Sequence, residues 1–138
     1  MIEDTLICRV RYSETDKMGF VHHSNYARYY ENARWELFRK YLITYGEIEK
    51  AGVLMPVVRM SAHFKRALCY DDEFIIRTSI KKMPGATLDF EFELKDLSGN
   101  VFHKAEVSLA FLSVQTKKAC RPPKKLEEHM QQYFPDLK

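Results

Sequence analysis

Residues 12–34 read YSETDKMGFVHHSNYARYYENAR, and the way this stretch divides decides the fold. Its first half is a polar turn carrying Glu14, Thr15, Asp16 and Gly19. Its second half opens a helix rich in Tyr and Ala that continues through Leu37 and Phe38. A carboxylate in a turn just ahead of a helix is chemically loaded. The first amides of a helix lack intrahelical partners and lie at the positive end of its dipole, where an oxyanion is stabilised. One acid or base and one oxyanion site, a few residues apart, are most of what acyl transfer needs.

Upstream, Leu6, Cys8, Val10 and Tyr12 alternate with Ile7, Arg9 and Arg11, the period of two of a half-buried strand. That register puts Tyr12 on the apolar face with its hydroxyl pointing inward. Downstream, Ser24 or Asn25 is the expected N-cap. Tyr26, Tyr30, Ala33, Leu37 and Tyr41 recur at steps of three and four, widened by Tyr29, Phe38, Leu42 and Tyr45, which marks a core-facing stripe. Glu31, Arg34, Glu36, Arg39 and Lys40 fill the remaining surface. Gly46 is the expected stop. About twenty residues at 1.5 Å each would span roughly 30 Å, enough to cross a sheet.

A short helical turn over residues 47–51 ends at Gly52, and the chain is then β-rich to about residue 114. Leu54 to Phe64 reads as a strand, bent or held at an edge by Pro56. Phe74 to Lys82 is a second, closed by the turn Met83-Pro84-Gly85. Leu88, Phe90, Phe92 and Leu94 alternate with Asp89, Glu91, Glu93 and Lys95, the clearest strand pattern in the chain. Ser98-Gly99-Asn100 makes a hairpin turn before a long strand from Val101 to Val114. A basic segment with Pro122-Pro123 then leads to a short surface helix over residues 126–134. Strands grouped after one helix, without βαβ alternation, imply an α+β fold with the helix against an antiparallel sheet of about five strands. A long central helix wrapped in this way is the hotdog arrangement, and residues 1–138 are expected to form one such domain. Its exposed edge strand calls for pairing with a second subunit.

With 22 Lys and Arg against 19 Asp and Glu, the net charge of +3 is mild. It suits an anionic ligand and falls well short of a nucleic-acid-binding signature. Cys8, Cys69 and Cys120 are widely spaced, form no CxxC pair and propose neither a disulfide framework nor a zinc site. The N-terminal MIEDTLICRV is acidic and lacks the apolar run of a signal peptide. No stretch approaches the ~20 apolar residues that insert in a membrane, so a cytoplasmic protein is expected.

The run Tyr12-x-x-Thr15-Asp16-x-x-Gly19-x-Val21-x-His23-x-x-Tyr26, followed by Tyr30-Glu31-x-Ala33-Arg34, resembles the signature of the 4-hydroxybenzoyl-CoA thioesterase-like hotdog family. It looks closest to the small bacterial acyl-CoA thioesterases. The resemblance implies hydrolysis of an acyl-CoA to free acid and CoA, with no metal and no cofactor. It implies Asp16 as nucleophile or general base, supported by Tyr12 and His23, and active sites between subunits of a homodimer or homotetramer. Gly19, Val21, His22 and Tyr26 would border the substrate. Met18 and His22 depart from the family's pattern, which bears on the acyl group accepted.

The chemistry of Asp16 fits that role independently. A thioester carbonyl is electrophilic and its thiolate leaves readily, so one carboxylate, ionised at neutral pH, can attack or activate water. The plainer alternative is that Asp16 only holds its turn through bonds to backbone amides. His23 can orient Asp16, line the pocket or merely cap the helix. The backbone amides of residues 21–23 are the candidates for polarising the carbonyl. Adjacent His22 and His23 diverge in direction and belong to no metal-binding spacing, and GxSxG is absent. For the CoA phosphates the available cations are Lys65 with Arg66, Lys81 with Lys82, and Lys117 and Lys118 with Arg121. Those after Phe64 and in the tail are preferred. An acyl carrier protein could replace CoA. A dehydratase acting on acyl thioesters, or a non-catalytic acyl-CoA-binding protein, are the competing readings.

Overall fold

The computed structural model describes residues 1–135. The elements run β1 (Ile2–Arg9), α1 (Ser24–Tyr41), α2 (Tyr45–Lys50), β2 (Val53–Leu54), β3 (Val57–Phe64), β4 (Glu73–Ile80), β5 (Thr87–Lys95), β6 (Val101–Ala110), β7 (Leu112–Ser113) and α3 (Lys124–Gln131). Five strands form one antiparallel sheet in the order β1-β4-β5-β6-β3. The small β2–β7 pair closes one end.

The alternation in β5 is carried into the structure, with Leu88, Phe90, Phe92 and Leu94 all buried. Helix α1 lies across this apolar face. Tyr29 meets Phe74 of β4 at 5.0 Å, Tyr30 stacks on Phe92 of β5 at 4.8 Å, and Phe38 approaches Phe90 at 6.0 Å between ring centroids. Each such buried ring is worth about 1.5–3 kcal/mol over leaving it in water. The opposite face of the sheet is charged: Arg77 bonds Glu3 and Glu93, Lys81 bonds Glu91, and Lys82 bonds Asp89. The β5–β6 turn is fixed by Asp96, whose Oδ1 accepts the amides of Ser98 and Asn100 at 3.0 and 2.9 Å, while Gly99 takes φ +91°.

Several boundaries differ from the sequence reading. The helix stops at Tyr41 rather than Gly46, because Thr44 and Glu47 form a capping box that starts α2 and places Gly46 inside it. Ser24 is the first helical residue, and the N-cap position is His23, which makes no side-chain cap bond. Asn25 is inside the helix and buried. Arg34, expected on the surface, is buried at 6% exposure. The last strand breaks at Phe111, which is buried between β6 and β7. Helix α3 is docked rather than superficial, with Leu126 and Met130 fully buried.

Strand β3 lies at the sheet edge, and all eight of its residues are exposed. Val57, Val58, Met60 and Phe64 are apolar and between 44% and 57% exposed. An apolar strand with one side unpaired is a template for another chain.

Candidate active site

The turn ahead of α1 is built by backbone pairing at both ends. After β1, Val10 and Asp71–Asp72 exchange amide bonds of 2.9 and 3.2 Å, and a 3-10 turn over Tyr12–Glu14 redirects the chain. Thr15 then pairs with Val21 and Phe20 with Cys69 as isolated bridges, and Val21 donates its amide to Leu68 at 2.8 Å. The loop between them is closed by Asp16. Its amide donates to Phe20 O at 2.8 Å, and its carbonyl accepts from Gly19 N at 3.1 Å. Gly19 adopts φ +84°, which disfavours other residues there.

The Asp16 side chain is half-buried. Its Oδ1 accepts the amides of Met18 at 2.8 Å and Phe20 at 3.3 Å. The turn-holding role therefore exists, and it uses one oxygen. Oδ2 has no partner among the described residues. Bonds to one carboxylate oxygen orient the other, which is what a positioned nucleophile or base requires.

Amides at the helix start are mostly consumed. Val21 N donates to Leu68, His22 N to Glu14 O, Asn25 N to His22 O and Tyr26 N to His23 O. Ser24 N donates to His22 Nδ1 at 3.2 Å, and His22 Nδ1 also meets Ser24 Oγ at 2.8 Å. Of the three amides proposed from sequence, residues 21–23, only His23 N–H is without a partner among the described residues. The imidazoles of His22 and His23 are exposed and stacked, 4.3 Å between centroids. Divergence of neighbouring side chains, expected from sequence, does not hold for this pair.

Tyr12 does not point inward. It is 77% exposed and packs edge-on against Tyr70 at 5.6 Å, because the chain leaves the strand at Arg9 and the 3-10 turn swings residue 12 outward. Tyr26 is buried, and its hydroxyl accepts the Leu68 amide at 3.2 Å. Behind it lies His103 of β6, fully buried: Tyr26 stacks on it at 4.7 Å, Phe64 meets it edge-on at 4.6 Å, and the Tyr30 hydroxyl bonds its Nε2. Its Nδ1 has no partner among the described residues. Burial pushes the imidazole pKa down to about 4, helped by the charge of nearby His63.

The predicted cations divide between the two ends of the sheet. Lys65 and Arg66 follow β3 on the side of the site, since Leu68 pairs with Val21. Arg66 is partly engaged, 3.7 Å from Asp96 and over the Phe102 ring at 4.7 Å. Lys117 and Arg121 follow β7, beyond the far end of the ten-residue β6, roughly 30 Å away at strand rise. One protomer does not bring them to Asp16. Sequence reasoning missed Arg11 and Arg28, which make no ion pair among the described residues and line a groove of about 830 Å³ with Tyr12, Glu14, Tyr29 and Tyr70. It also missed the keystone role of Glu14. Its carboxylate accepts the Arg11 amide and the Tyr29 hydroxyl at 2.8 and 2.9 Å, and its carbonyl accepts Asn25 Nδ2 at 2.8 Å. That hydroxyl's pKa is raised by burial and by the adjacent carboxylate. A glutamate followed by Asn and Tyr at eleven and fifteen residues carries no sequence signal of such a triad.

A long helix laid across a five-stranded antiparallel sheet is the hotdog arrangement. The chain belongs to the Thioesterase-like superfamily, whose profile matches residues 10–131. It is 27% identical over 124 residues to the acyl-CoA thioester hydrolase YbgC of Escherichia coli O6:H1, covering 90% of this chain and 92% of that one. It is 29% identical over 120 residues to the acyl-CoA thioesterase YbgC of Haemophilus influenzae, covering 86% and 88%. The DHNA-CoA thioesterase structure from Staphylococcus aureus superposes with a TM-score of 0.82 at 28% identity, covering 99% of this chain and 86% of that one. No helix among the described residues is long and apolar enough to cross a membrane.

Proposed function

We propose that this protein is a cytoplasmic hotdog enzyme, one domain over residues 1–138, that hydrolyses acyl-CoA to free acid and CoA. The last three residues lie outside those described. The observation that carries the reading is the Asp16 carboxylate, held by two amides on Oδ1 with Oδ2 unengaged, in a loop bonded to the start of α1. Asp16 acts as nucleophile, or as the base that takes a proton from water as the water oxygen attacks the carbonyl. The negative charge then passes to the carbonyl oxygen, where the His23 amide is available to donate. Collapse of that tetrahedral species breaks the C–S bond and expels CoA as its thiolate. With Asp16 as base this gives the free acid directly; with Asp16 as nucleophile it leaves an acyl–Asp16 anhydride that water then hydrolyses to free acid and the restored carboxylate. In this reading His23 borders the acyl group, with Gly19, Val21 and Tyr26 beside the same turn. Lys17 in the turn itself, with Arg11, Arg28 and Lys65, makes no ion pair among the described residues, and these cations are available for the CoA phosphates.

The partner in this reading is a second copy. Two β3 strands paired antiparallel about a two-fold would continue the sheet and bury Val58, Met60 and Phe64. That pairing also sets the residue-57 end of one protomer against the residue-64 end of the other. Lys117 and Arg121 of a second copy would thereby approach the Asp16 side, which no single chain achieves. A dimer is the minimum and a tetramer follows if dimers associate further. Met60→Arg puts a charge in the seam and should shift the protein to monomer in sedimentation velocity, with thiol release falling at least about tenfold. An unchanged sedimentation coefficient would remove β3 from the interface.

Thiol release across graded aliphatic and aryl acyl-CoAs, with one acyl carrier protein thioester, tests the function itself. Saturable CoA release from at least one substrate is expected. Enoyl absorbance from a 3-hydroxyacyl thioester without thiol release would favour the dehydratase reading, and binding without turnover a non-catalytic one.

A further inference from the structure

A hollow of about 470 Å³ opens between the middle of α1, the start of α2 and the segment before β3, lined by Glu31, Arg34, Trp35, Arg39, Thr44, Tyr45 and Met55. Nothing in the hydrolysis described above uses it. Arg34 is its unusual member. Only 6% of the residue is exposed, Nε is buried without a partner, and the side chain makes no ion pair or hydrogen bond among the described residues.

The acids nearby do not answer that charge. Glu36 is bonded by Arg39, and Glu49 is bonded by Tyr45. Glu31, one helical turn before Arg34, contributes field but stays beyond ion-pair distance. Burial pulls the Arg34 pKa down from its usual value without bringing it near neutrality, since guanidinium stays charged in proteins. A largely buried guanidinium facing a cavity, with Nε dry and unpartnered, is costly unless an anion completes it.

The walls indicate the rest of the ligand. The guanidinium lies 5.4 Å from the Trp35 ring centroid, and Trp35 and Tyr45 meet at 4.7 Å and 62°. With Met55 they offer flat, polarizable surfaces beside Arg34, the second lining cation, Arg39, being held by Glu36. Guanidinium binds carboxylate bidentately, in plane, and the rings suit a planar apolar body.

We propose that this hollow binds a small aryl carboxylate, its carboxylate forked by Arg34 and its ring against Trp35 and Tyr45. The inference does not depend on the thioester reading. The chain holds a single tryptophan, so Trp35 fluorescence reports the site directly. The full-length protein is titrated with sodium benzoate and, separately, with uncharged benzamide, at constant ionic strength. Benzoate is expected to give a saturable change at least about tenfold tighter than benzamide, and Arg34→Gln to weaken benzoate by about tenfold or more. Arg34→Lys, which keeps the charge and loses the fork, should fall between them. If Arg34→Gln does not fold, the benzoate-to-benzamide ratio on the wild-type protein decides alone. Equal affinities for the two probes, no saturable benzoate signal, or wild-type affinity in a folded Arg34→Gln would overturn the proposal.

Discussion

Asp16→Asn is expected to fold and assemble as the wild type does while losing at least about a hundredfold in kcat. The amide oxygen of Asn can still accept from Met18 N and Phe20 N, so the loop up to Gly19 keeps its shape. What disappears is the anionic oxygen that has no other employment in the fold. A purely structural aspartate would show the reverse pattern, with Asn nearly silent in activity and any loss appearing in the melting temperature. Measuring kcat and thermal midpoint on the same preparations separates the two. Asp16→Ala removes both functions and should lower both quantities, since the amides of Met18 and Phe20 lose their acceptor.

Acidification should weaken the fold through His103. Its pKa stands at 6.5 in an ordinary setting and about 4 in this protein, because burial among Tyr26, Tyr30 and Phe64 disfavours the cation. The unfolded chain therefore binds the proton first. Stability is full above about pH 6.5 and falls as pH drops toward 4, by up to about 3 kcal/mol across that window. Against a typical total of about 5–15 kcal/mol this is a large fraction. Denaturant titrations at pH 7 and pH 4.5 measure it, and His103→Gln should flatten the difference. His63 on neighbouring β3 lowers the His103 pKa in the same direction. An identical pH dependence in His103→Gln would mean that other groups control acid unfolding.

Much of this was legible in the sequence for identifiable reasons. The β5 pattern Leu88–Leu94 could be read because a sheet with one buried and one charged face writes its register into the chain. The helix stripe from Tyr26 to Phe38 was equally plain, since aromatic side chains at helical spacing have few other uses. The turn was legible through Asp16 and Gly19, whose side chain and positive φ are local properties. Non-local features were not. Nothing near residue 103 in the chain announces that Tyr26, Tyr30 and Phe64 will enclose it. Tyr12 was misread because strand alternation was carried three residues past Arg9, where the 3-10 turn had already broken the period. Arg34 was assigned to solvent from its charge alone. The α2 segment, set by the Thr44–Glu47 box, and Met55 fold over it and make it a wall of a cavity instead.

The most direct test of the account is a time course of CoA thiol release by wild type and Asp16→Asn, run side by side on the best substrate of the panel. Steady release is expected from the wild type and a trace at least about a hundredfold slower from the variant, with both proteins sedimenting alike. Equal slopes from the two would contradict it and reduce Asp16 to the hydrogen bonds it makes with its own turn.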